Sequence, residues 1–374
     1  MKKKKGKLAS TVGQIVSVLI YLLTGALCGG LFLHWEALPD SFVLIMALLL
    51  GGVYLAMAVQ IAIHEAGHLV FGLLTGYRFS SYRFFSLMWI KQGGKLRFKK
   101  LNLAGTGGQC LMAPPDWRED FPYVLYNLGG VLMNLIAAAL FWLLALIAAP
   151  TVKLFLLMGA LIGLAFALLN GLPLRVGPID NDGRNILSIS RSPAARRAFW
   201  LQMKVNERQA AGVRLRDMPE DWFSVPGDET PENSILAAVS VNRAARLMDD
   251  HRFDEAAALQ DRLIEQEDLA GIYRGLLRCD RIFCEMLGEG REDVLASLLT
   301  KEQTKFMKSM KSYPSVLRTL LALDLLHEHD AVAAEKLKAA FEKMARSYPY
   351  PTDIESEREL IALAEEKAAP ERVQ

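Results

Sequence analysis

Hydrophobic and polar positions divide the chain into two unlike halves. Up to about residue 190, long apolar runs alternate with short polar or basic connections. Beyond that point, apolar residues recur singly at helical spacing among charges. Four runs are long enough to cross a bilayer, which takes roughly 20 residues: residues 12–33, 42–74, 123–149 and 152–169. The second is longer than a span requires. Its helix must tilt, protrude or break, and Gly51-Gly52 is its weakest point.

The connection over residues 77–120 carries two aromatic or alternating runs, 82–90 and 95–103. Gln92-Gly93-Gly94 lies between them as a turn, so the pattern predicts a β-hairpin. Residues 103–115 are glycine-rich and closed by Pro114 and Pro115. The spacing fits no phosphate-binding loop, and an irregular loop is expected. Residues 191–233, with Pro219, Pro226 and Pro231, read as a connector with a helix over 194–207. Helix-length segments fill 234–369. Residues 244–265 and 320–344 each have the form helix, turn, helix. Tetratricopeptide-like repeats and an ordinary helical bundle both fit them. The expected fold is mainly α: a polytopic transmembrane core of about four spans with a β-hairpin insertion (1–190), the connector, and a soluble C-terminal helical domain (234–374).

Charge sharpens this division. Residues 1–190 hold 16 Lys and Arg against 8 Asp and Glu, and residues 191–374 hold 27 against 33, within a formal net charge of +2. The basic residues cluster before the first run and within 77–120, which assigns those segments and both termini to the cytosolic side. A bacterial plasma membrane is the expected location. The basic residues match no nucleic-acid-binding motif, so no nucleic-acid partner is expected. Cys28, Cys110, Cys279 and Cys284 show no disulfide or zinc-finger spacing and read as reduced thiols.

The chemistry concentrates at residues 61–70, Ile-Ala-Ile-His-Glu-Ala-Gly-His-Leu-Val. His64 and His68 stand at i and i+4, on one face of a helix. Two imidazoles at that spacing can hold one Zn²⁺, with Glu65 beside them as general base. Gln60 is the only other strongly polar side chain between Phe42 and Leu74. Ionisable groups inside such a run are costly and mark functional sites. Two more carboxylates, Asp180 and Asp182, follow the fourth run. Either could cap the helix that starts near Gly183, leaving the other for a metal.

Three motifs in order, His64-Glu65-x-x-His68, Gly130-x-x-x-Asn134, and Asn170-x-x-Pro173 followed by Asp182-Gly183, resemble those of the site-2 protease family of intramembrane zinc metalloproteases. The likeness covers roughly residues 42–190. It implies a three-helix catalytic core, zinc held by two His and one Asp, and cleavage of membrane-embedded protein substrates. On this resemblance His64, His68 and Asp182 are the ligands and Glu65 is the catalytic base. Asp180 competes with Asp182, because the path from Pro173 to the Asp is longer than the family's and its second proline, Pro178, comes late. Gly129-Gly130 stands where the family often has Gly-Pro. Asn134 is assigned to the substrate backbone or the oxyanion. The hairpin is expected to offer a strand edge to an unwound substrate. The expected partners are a membrane-protein substrate, the lipid bilayer and a protein bound by the C-terminal helical domain. The alternative is a non-catalytic, metal-containing scaffold recruiting partners through that domain. A transporter is disfavoured, since four spans show no internal repeat.

Overall fold

The computed structural model describes residues 2–35, 39–101, 107–176, 179–227, 234–266, 269 and 271–369. In chain order the first elements are α1 (Lys2–Leu33), α2 (Phe42–Leu74), β1 (Arg78–Phe84), β2 (Leu87–Gln92), β3 (Lys95–Lys100) and β4 (Gly108–Ala113). Then come α3 (Val124–Ala145), α4 (Pro150–Gly171), β5 (Arg175–Val176), β6 (Ile179–Asp180) and α5 (Asp182–Ser190). The remainder is helical: α6 (Pro193–Ala210), α7 (Ser234–Asp249), α8 (Phe253–Ile264), α9 (Gly271–Leu287), α10 (Glu292–Leu298), α11 (Lys301–Ser309), α12 (Pro314–Leu326), α13 (Ala331–Ala345) and α14 (Pro351–Ala368). Two compact units result, Met1–Phe85 with Gly105–Pro193, and Ser86–Ala104 with Ala194–Gln374.

In the first unit, four helices are long and apolar enough to cross a membrane: Thr11–Leu33, Phe42–Leu74, Val124–Ala145 and Pro150–Gly171. Helices satisfy their backbone groups internally, which a hydrocarbon environment demands. Leu19, Leu22, Leu55, Leu140 and Trp142 point outward as lipid would require. Cys28, Phe32, Leu154, Met158 and Ile162 pack inward with Leu49 and Val53.

At a rise of 1.5 Å per residue, α2 is about 50 Å long, well beyond a bilayer core of roughly 30 Å. It runs unbroken through the weak point at Gly51-Gly52, which leaves tilt or protrusion as the ways to fit. A Cβ on Gly52 would stand 2.7 Å from the Phe155 ring. The glycine therefore makes room for α4 and leaves the helix intact.

The sequence run 82–90 is two strands, not one. β1 ends at Phe84, and Phe85 adopts a left-handed φ of 50°. β1 pairs antiparallel with β4 from Arg78↔Ala113 to Phe84↔Gly108, with a register irregularity between Phe79 and Ser81. Residues 108–113 are thus a strand where an irregular loop was expected, while residues 103–106 of that stretch lie outside the described residues.

In the second unit, β2 and β3 form the hairpin, with Gln92↔Lys95 closing it over Gly93 and Gly94. Both glycines have positive φ, 54° and 75°, the conformation that a two-residue hairpin turn demands. Met88 and Ile90 alternate inward onto Ala210 and Tyr350. The main helical core includes Leu247, Ile282, Phe283, Val316 and Leu360. The two sequence-read turns fall between α7 and α8 and between α12 and α13, where His251 and His329 take left-handed φ values. All four cysteines are free and buried.

Candidate metal centre

Everything that builds this centre lies in the first unit. α2 presents His64 and His68 one turn apart on its buried face. Asp182 is the first residue of α5. The separations are 3.1 Å from His64 Nε2 to Asp182 Oδ2, 3.6 Å from His68 Nε2 to the same oxygen, and 3.2 Å between the two Nε2 atoms. A tetrahedral ion bound at roughly 2.0–2.1 Å holds its ligand atoms about 3.3 Å apart. The triangle therefore has the size that one small cation needs, and these three residues could hold a metal ion. Asp180 stays outside it, 3.5 Å from the Arg175 guanidinium across β5 and β6.

The outer ring nitrogens fix both imidazoles. His64 Nδ1 donates to Asn134 Oδ1 at 2.7 Å, and His68 Nδ1 donates to the Tyr126 carbonyl at 2.8 Å. With the proton on Nδ1, each Nε2 keeps its lone pair for a metal. The amide orientation of Asn134 is set on its far side. Its Nδ2 donates to Gln60 O at 3.1 Å and to Gln60 Oε1 at 2.7 Å. Gln60 Nε2 in turn donates to Gly159 O at 2.9 Å. One relay thus runs from α4 through α2 and α3 to His64. Both Gln60 and Asn134 are 0% exposed. Asn134 spends its amide on these contacts inside the protein, where sequence reading had assigned it to the substrate backbone or the oxyanion. It positions His64.

Close packing of α2 on α3 makes this possible. A Cβ on Gly67 would lie 2.2 Å from the Gly129 carbonyl, and one on Gly130 would sit 2.4 Å from the His64 ring. The sequence Gly129-Gly130 thus serves backbone contact and imidazole space in succession.

Neither aspartate caps α5. Asn181 does, accepting from Arg184 N at 2.9 Å. The same side chain donates to the Leu169 and Leu172 carbonyls and accepts from Leu174 N. Asn181 therefore stitches the end of α4 to the start of α5, and Asp182 is left free to face the histidines. Gly183 packs against α4 instead of the metal site, since a Cβ there would meet Gly171 O at 2.2 Å.

Glu65 is buried beside His64, and β4 passes over it. A Cβ on Gly108 would come within 2.6 Å of Glu65 Oε1. Tyr126 Oη donates to Cys110 O at 2.9 Å and ties β4 to α3. No protein-family profile matches the chain, and neither curated proteins nor solved structures give a match.

Sequence reading noted Gln60 but gave it no role, passed over Asn181, and took the β4 stretch for a loop. Gln60 carried a usable signal, as a lone amide one turn before His64 in an apolar run. Asn181 carried a weaker one, lying between two competing aspartates.

Proposed function

We propose that this chain is a zinc-dependent intramembrane endopeptidase acting on membrane-embedded or membrane-proximal protein segments. The observation that carries the reading is the His64–His68–Asp182 triangle beside Glu65, reached from helices apolar enough to span a bilayer. Two nitrogens and one oxygen suit zinc with one position left open. When bound, zinc would supply Lewis acidity to water and to a peptide carbonyl.

The chain's own groups do the rest. Glu65 takes the proton of the attacking water and returns it to the departing amine. Asn134 and the Tyr126 carbonyl keep both Nε2 atoms aimed at the metal. β4 pairs with β1 on one side, and among the described residues no strand pairs with its other side. β4 passes beside Glu65 at Gly108, and its unpaired edge can receive an extended substrate through backbone hydrogen bonds.

The test uses purified full-length protein in proteoliposomes with a membrane-spanning reporter peptide. Glu65→Gln should retain about one zinc per chain and abolish cleavage, and His64→Ala should lose the zinc. A Glu65→Gln protein that still cleaves refutes the mechanism. A wild-type protein that holds zinc yet cleaves no membrane substrate supports the scaffold alternative. The helix pairs α7–α8 and α12–α13 we read as tetratricopeptide-like units that engage a protein partner. On the charge distribution, both termini and the 77–120 connection face the cytosol.

A further inference from the structure

In the second unit, helices α7, α9, α12 and α14 surround a cavity of about 230 Å³. Its charged lining is Arg214, Asp249, Asp280, Arg318, Asp353 and Glu357. The cations are already engaged. Arg318, almost wholly buried, reaches Asp280 at 2.5 Å and Glu357 at 3.1 Å, with its guanidinium 4.4 Å above the Phe283 ring. Arg214 bonds Asp249 at 2.6 Å and also pairs with Glu359 outside the cavity. Four carboxyl groups share two guanidinium groups along the lining, so cations are in short supply there.

The shortage falls at Asp353. Its partner among the described residues is neutral, Gln209 Nε2 donating at 3.0 Å. Burial without a neighbouring cation pushes Asp353 up to about 7, and burial pushes Glu357 up to about 7 despite Arg318. An independent observation points the same way. Thr352 also lines the cavity, is 6% exposed, and its Oγ1 has no hydrogen-bond partner. Native interiors seldom leave such a group unsatisfied. Tyr273, Tyr313 and Tyr348 add aromatic surface, which favours a cation. The volume is below the roughly 300–1,000 Å³ of pockets that enclose drug-sized ligands. It suits one long side chain.

We propose that this cavity receives a single cationic side chain, a lysine or arginine presented by a basic peptide segment of a protein partner. The ammonium or guanidinium sits between Asp353 and Glu357, its alkyl stem lies against Leu360 and the tyrosines, and Thr352 Oγ1 accepts one of its protons. The site is independent of the proposed proteolysis and needs no metal.

The test is calorimetric titration of the full-length protein in detergent with acetyl-Ala-Lys-Ala-amide and its arginine, norleucine and glutamate counterparts. The lysine and arginine peptides should bind, and the norleucine and glutamate peptides should not. Asp353→Asn should weaken the lysine peptide at least about tenfold. Thr352→Val keeps the side-chain shape and removes a hydroxyl that has no internal partner, so it should fold normally and still weaken binding by roughly threefold. Equal binding of norleucine and lysine peptides overturns the proposal, as does full affinity in folded Asp353→Asn, or no binding of either cationic peptide. Free 1,5-diaminopentane is the remaining arm. If it binds as tightly as the lysine peptide, the ligand is a free small cation and the peptide assignment fails.

Discussion

Asn134 offers the sharpest test of how the proposed metal centre is built, because it is not itself a ligand and yet hydrogen-bonds one from behind. Replacing it with alanine removes the acceptor for His64 Nδ1 and the donor to Gln60 O and Oε1. Three buried polar groups then lose a partner. Each stranded group costs about 1–3 kcal/mol in a protein interior. Hydrogen bonds between membrane helices measure less, averaging about 0.6 kcal/mol, because the unfolded helices find other partners. The stability loss should therefore be about 2–3 kcal/mol. The metal effect is separate. Freed of its acceptor, His64 can carry its proton on Nε2 or turn its ring, and partners of this kind are worth roughly 10–100-fold in metal affinity. Zinc affinity of purified Asn134→Ala, measured by competition with a chromogenic chelator, should fall by that factor with all three ligands intact. Asn134→Asp keeps an oxygen toward His64 and loses the donor to Gln60, so it should recover most of the affinity. Gln60→Leu should weaken zinc less than Asn134→Ala, and the double variant should cost less than the sum, since both break one relay. Zinc affinity in Asn134→Ala within about twofold of wild type would refute the view that this relay sets the histidine tautomer.

Other expectations follow from neighbouring contacts. Asp182→Ala should lose zinc and cleavage, whereas Asp180→Ala, which breaks the contact with Arg175 outside the triangle, should keep both; elemental analysis of the two purified variants decides. Gly108→Ala puts a methyl group 2.6 Å from Glu65 Oε1, so cleavage should fall at least about tenfold with zinc content unchanged, the signature of a displaced base. In the helical unit, burial raises the Asp353 and Glu357 pKa values to about 7 from 3.8 and 4.5. The folded state then holds protons that the unfolded chain has released, so stability should fall as pH rises from about 4 to 7. Amide exchange in α14 should accordingly be slower at pH 5 than at pH 8, after correction for intrinsic rates, and Asp353→Asn should flatten the difference.

The parts of this architecture that were legible in the sequence are those that depend on near neighbours. The four spans are continuous apolar runs, and the i, i+4 spacing alone places His64 and His68 on one face of α2. Gly93-Gly94 announces a tight turn because only glycine enters both left-handed positions cheaply. What escaped depends on distant partners. β4 reads as a loop because Gly107 and Gly108 weaken its strand signal, and its order comes from β1 and from Tyr126 on α3. The cap of α5 could not be chosen locally, since Asp180, Asn181 and Asp182 are all good capping residues. Contact with the carbonyls at the end of α4 selects Asn181. Asn134 was singled out by its motif, but its role required knowing that Gln60 lies against its other side. Gly51-Gly52 reads as a weak point for a similar reason: the Phe155 ring that explains Gly52 is remote in sequence.

The relay from Gly159 through Gln60 and Asn134 to His64 has a bearing on biosynthesis. A chain emerging into the bilayer acquires α2 well before α3 and α4. At that stage both histidines are present, but neither Nδ1 has its acceptor and Asp182 has yet to be made. Such a nascent helix offers two loosely oriented imidazoles, a poor trap for a scarce ion. If the site holds a metal as proposed, its three ligands are assembled only once the fourth helix and the turn stitched by Asn181 are in place. Loading with metal would then be the closing event of maturation, and an unassembled or truncated chain would remain chemically silent in the membrane.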